Sequence, residues 1–159
     1  MADEKREFLR HTVATLAYRG GKAVRGVGDK FAGFSVGENP KTPAMILAHI
    51  GDLLDWAVTL AEGQQAWNNS VPLPWEQEVE RFHAALQKFD DYLASNRPLA
   101  TGPEVLFQGP IADALTHVGQ LAMLRRLAGT QMKSENYAKA DIVAGRVGAE
   151  QTAPKREFD

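Results

Sequence analysis

Residues 75–94 read WEQEVERFHAALQKFDDYLA. Trp75, Val79, Phe82, Leu86, Phe89 and Leu93 step by four, three, four, three and four. That spacing lines them along one face of a helix with 3.6 residues per turn. Charged and polar side chains take most other positions, so the segment reads as an amphipathic helix laid on a core. Ser95-Asn96-Arg97-Pro98 stops it, because the residue before a proline avoids helical backbone. A helix with a single apolar stripe needs partners, and the flanking sequence supplies them.

Upstream, Thr42-Pro43 offers a hydroxyl cap followed by proline at the first helical position. The helix it opens carries Met45, His49, Leu53, Trp56 and Leu60 as its stripe and ends at Gly63. Residues 64–74 form a loop ending in Pro-Leu-Pro. Nearer the N-terminus, Asp3 caps a helix whose apolar residues are Phe8, Leu9, Val13, Leu16 and Ala17, with Gly20-Gly21 as its expected end. The stretch VRGVGDKFAGFSVGENP at 24–40 reads as a long glycine-rich loop.

Downstream, a fourth helix is predicted from about Pro110 to Ala128. Arg125 and Arg126 suit its negative end, and Gly129 closes it. The string EVLFQGP at 104–110 all but spells the cleavage site of a viral 3C-type cysteine protease. Its place at mid-chain, Pro103 where that site begins with leucine, and the fit of Gly109-Pro110 to a turn and helix start mark it as native sequence. The tail beyond residue 130 has weak patterning and should dock as an irregular segment with one short helix. KREF recurs at 5–8 and 155–158, too short to count as a repeat. Four amphipathic helices and no alternating strand pattern predict an all-α chain: one four-helix-bundle domain over 1–159 with an irregular C-terminal tail.

The 159 residues carry a net charge of −2 and are 44% hydrophobic, so nothing favours nucleic acid or an anionic membrane as a partner. There is no cysteine, which removes disulfides, thiolate ligands and a cysteine nucleophile together. No unbroken apolar run is long enough to predict a membrane-spanning helix, and MADEKREFLRH lacks the apolar core of a secretory signal; a cytoplasmic location is expected. Phosphate-binding glycine loops and a G-x-S-x-G elbow are absent.

Asp113 and His117 lie four apart, stacked on one helix face, with Leu121 and Leu124 continuing that face inward. An inward carboxylate and imidazole need partners. His49, on its own apolar stripe, can meet them if the two helices touch. Two imidazoles and a carboxylate can hold a divalent metal while leaving positions open. Gln120 and Asp52 are candidates to orient those ligands, and Trp56 to line the cavity. The plainer roles are a helix-dipole acid for Asp113, a solvent-facing Asp52 and a core Trp56. His83 is expected to be exposed, His11 has no assigned role, and Tyr18 and Arg19 are candidates for the cavity mouth.

LAHIGDLLDW at 47–56 and DALTHVGQLAMLRRLAG at 113–129 resemble the DinB/YfiT-like superfamily in motif and helix order. The resemblance places His49 at the first and His117 at the last position of that family's histidine triad, with Asp113 where the middle histidine usually stands. It implies a bundle, commonly a homodimer, holding a divalent ion in an open cavity, zinc or nickel before iron or manganese. It also implies a small-molecule substrate and transfer chemistry that uses an external low-molecular-weight thiol, with metal-assisted hydrolysis next. The competing expectation is a metal-free module for small-ligand binding or dimeric interaction, prompted by the aspartate in the triad.

Overall fold

The computed structural model describes residues 3–158 and is mostly helical. Four long helices, α1 (Glu4–Val24), α3 (Pro43–Glu62), α4 (Trp75–Ala94) and α6 (Ala112–Leu127), close a ring of contacts: α1 on α4, α4 on α3, α3 on α6 and α6 on α1. The centre is filled by fully buried side chains including Leu16, Leu47, Ile50, Leu54, Phe82, Leu86, Phe89 and Leu121. The α4 stripe thus faces the core, with Val79 half-buried at its margin. Each such large side chain contributes about 1.5–3 kcal/mol when fully withdrawn from water.

Local chemistry sets the ends. Asp3 accepts from the backbone N–H of Lys5 and Arg6, and Thr42 Oγ1 accepts from Met45 N–H. Gly63 closes α3 in the left-handed region at φ 78°, which favours glycine. Arg125 is buried and donates to the carbonyls of Lys22, Ala23 and Arg25, so it satisfies the open end of α1 as well as Thr130 O beyond its own helix.

Two predicted boundaries are wrong for related reasons. Helix α1 runs through Gly20-Gly21 to Val24. Gly20 serves packing: a Cβ there would stand 2.7 Å from the Phe82 ring and 3.4 Å from Val118, so its absence lets α1 approach α4 and α6 closely. The last helical segment begins at Pro103, seven residues before the predicted start. A short α5 (Pro103–Leu106) leads through a π-helical turn (Phe107–Ile111) into α6. Pro110 lies inside this segment; the wider π turn carries a residue that has no N–H to give and whose ring would crowd an α-helix. Leu106 and Pro110 of the EVLFQGP string are buried with Ile111 beyond it, so the string is anchored in the core while Glu104, Val105, Phe107 and Gln108 stay exposed.

The predicted α1 stripe also needs correction at Phe8, which is exposed, while Leu9 and Val13 are buried. The glycine-rich stretch contains a single-turn helix, α2 (Asp29–Ala32), whose Phe31 packs edge-on against Trp75. Helix α3 is the most apolar, with mean hydropathy 1.4 over 18 residues, and most of that window is buried between its neighbours. The tail docks on α1 and α6 with one 3-10 turn (Tyr137–Lys139) and a two-residue antiparallel ladder, β1 (Ser134–Glu135) with β2 (Glu157–Phe158). Lys22 Nζ donates to Glu135 and Glu157 at 2.7 and 2.9 Å, pinning both strands to α1.

Candidate metal centre

His49 comes from the second turn of α3, and Asp113 and His117 from the first two turns of α6. Contact between α3 and α6 brings the three together. His49 Nε2 lies 3.7 Å from Asp113 Oδ2, and His117 Nε2 lies 3.4 Å from Asp113 Oδ1. The imidazole rings stand edge-to-face with centroids 4.7 Å apart. One donor atom from each residue falls within 4.8 Å of the other two, so the group can hold a metal ion. The donor chemistry fits. Bonds of about 2.0–2.1 Å in a tetrahedral shell put neighbouring donors about 3.3 Å apart. Both contacts to Asp113 are longer than a good hydrogen bond and near that spacing.

Electrostatics favour the ligating state of His49. Burial, and then the neighbouring His117, hold its pKa below the usual 6.5 against the opposing pull of Asp113, so the ring is neutral at pH 7. His117 Nδ1 lies 2.7 Å from Gln120 Oε1. A ring that donates from Nδ1 to this oxygen presents the Nε2 lone pair toward Asp113. Gln120 therefore stands where an orienting residue is needed.

Asp52 does something other than orient an imidazole or face solvent. It is buried, and its carboxylate accepts from Arg81 Nη2 at 2.6 Å and from Ser70 N at 2.9 Å, with Ser70 Oγ also bonded. Asp52 thus ties the 64–74 loop to α3 beside His49. Arg81 reaches Asp52 by crossing close over α3 at Gly51, where a Cβ would stand 2.8 Å from Nη1. Trp56 is half-buried. It packs on the core and meets Trp67 edge-to-face at 5.9 Å, on the Asp113 side of the site.

The predicted α3 stripe is rotated by part of a turn. Met45 is 44% exposed, while Ile46, Ile50, Leu53, Leu54 and Ala57 face the core. His49 consequently sits at the margin between core and water, where a ligand needs to be. The sequence reading missed the loop residues. Trp67 packs edge-to-face on His49 at 5.5 Å, and Asn69, Ser70 and Lys41 line the adjoining cavity of about 180 Å³. A tryptophan flanked by Gln64-Gln65 and Asn68-Asn69 was the available signal for Trp67; Lys41 offered none.

The remaining candidates lie elsewhere. Tyr18 is buried with its hydroxyl on Glu135, and Arg19 stacks on Tyr137 at 4.2 Å, so both serve the tail. His83 is half-buried beneath the tail with Nδ1 3.3 Å from Val147 O, not exposed as expected. His11 is exposed on α1. No protein-family description matches the chain, and neither a curated protein nor a solved structure shows detectable similarity.

Proposed function

We propose that this chain is a divalent-metal-dependent enzyme acting on a small molecule, built as a four-helix bundle of the DinB/YfiT-like type. One observation carries the reading: two neutral-capable imidazoles and a carboxylate, from two helices far apart in sequence, converge at the edge of an open cavity. Half-exposed ligands beside a cavity suit a reactive ion better than a purely structural one, which is normally enclosed. His49, Asp113 and His117 hold the ion, zinc or nickel by the nitrogen-rich donor set, with iron and manganese next. The bound ion supplies Lewis acidity, which brings the pKa of a water or thiol toward neutrality.

This chain's own residues do the rest. Gln120 fixes the His117 ring, and the Asp52-anchored loop walls the cavity. Since the chain has no cysteine, transfer to or from sulfur draws on an external low-molecular-weight thiol. Transfer of an electrophilic group to such a thiol is the leading reaction, and hydrolysis the second. Assembly as a homodimer is proposed from the family resemblance alone. The test is a panel of low-molecular-weight thiols and electrophiles, offered to protein loaded with zinc or nickel. Turnover that disappears in both His49→Ala and His117→Ala is expected. Turnover that survives both substitutions contradicts the assignment.

A further inference from the structure

We propose that the cavity on the His49–His117 side of the site binds the carboxylate head of a small organic acid, with Lys41 as its anchor. The inference deepens the functional reading above, since it places the reactive end of such a molecule beside those imidazoles. The cavity measures about 180 Å³, below the roughly 300–1,000 Å³ of sites for drug-sized ligands. It suits a small polar head better than a whole extended molecule.

The charge of its wall decides the sign of that head. Asp52 borders the cavity, but both its carboxylate oxygens are taken up by hydrogen bonds from Arg81 and Ser70. Lys41, by contrast, lines the cavity with no carboxylate within ion-pair distance among the described residues. Asn69 Oδ1 accepts from Trp67 Nε1 at 3.0 Å, which leaves the Asn69 amide N–H groups as donors. The positive end of the α3 dipole lies on the same side, since Met45 and Ile46 of its first turn line the cavity. One ammonium and one amide donor match the two oxygens of a carboxylate. A phosphate more often recruits an arginine fork or several backbone amides.

The rim describes the rest of the molecule. Met45, 44% exposed, and Pro72 line the same cavity and offer an apolar margin for an aliphatic or aromatic body.

The test titrates the metal-free full-length chain with hexanoate and with hexanamide, its neutral counterpart, at neutral pH and low salt. Binding is followed by amide chemical shifts. Hexanoate should shift Lys41, Asn69 and His117, and hexanamide should not. Lys41→Ala should weaken hexanoate by about tenfold or more while Lys41→Arg retains it, the difference expected for a charge anchor. Equal binding of the amide, an unaffected Lys41→Ala variant or no hexanoate binding at all would overturn the proposal. Metal uptake is measured on the same samples and separates the two readings. If the wild type takes up no metal but hexanoate binding still depends on Lys41, the enzyme assignment falls and the subsite stands. If metal binds and hexanoate ignores Lys41, only the subsite falls.

Discussion

Helix α3 carries two charged clusters within one turn of each other, and they are built in opposite ways. Around Asp52, Arg81 donates to three carboxylates, two of them on buried side chains, and the neighbouring loop closes the remaining acceptor positions. Around His49, three groups meet at 3.4 and 3.7 Å, partly open to water, with little hydrogen bonding among them. In the first cluster one guanidinium is shared by three carboxylates, and the two buried ones have their oxygens hydrogen-bonded. The second has one donor atom from each residue within 4.8 Å of the other two. A fold fills its polar groups where they only need to be stable, and leaves them under-filled where something else is to bind.

The comparison breaks first if Arg81 is dispensable. Arg81→Ala leaves the buried Asp52 and Glu78 carboxylates without their cation, and a loss of about 3–5 kcal/mol is expected in chemical denaturation. A loss under about 1 kcal/mol would mean that the closed cluster is not what holds α3 to α4. Gly51→Ala probes the same cluster more gently. Its Cβ meets the Arg81 guanidinium, and an overpacking cost of about 1–3 kcal/mol is expected. His117→Ala, in the open cluster, should change stability by less than about 1 kcal/mol while removing metal uptake.

A pH titration sharpens the contrast. Burial lowers the pKa of His49 and of His83 in the folded chain below 6.5, so the unfolded chain binds protons more readily than the folded one. Stability is therefore complete above pH 6.5 and falls as pH drops from there through the lower folded values. His83→Gln should flatten that slope in thermal melts recorded across the acid range. An unchanged slope would place the acid sensitivity elsewhere.

Much of this was legible in the sequence, because periodicity and caps are local. The α4 stripe and the Thr42-Pro43 start of α3 are decided by residues a few positions apart. The Asp113–His117 spacing likewise places both groups on one face of α6. The failures share a cause in partners distant along the chain. Gly20 looks like a helix breaker until Phe82 is seen against it, and Pro110 looks like a helix start until the π turn is seen to accommodate it. Asp52 looks solvent-facing until Arg81, 29 residues on, crosses over Gly51 to meet it. The loop residues of the site were hidden for the same reason, since nothing local to Asn69 or Lys41 points to His49.

The central claim is that the open cluster binds a metal. Its most direct test is metal content per chain for protein made without a histidine tag, for the wild type and for His49→Ala and Asp113→Ala after equal exposure to zinc and nickel. About one ion per wild-type chain, lost in both variants, is the predicted result. A wild-type chain without metal, or one whose metal survives Asp113→Ala, would contradict it.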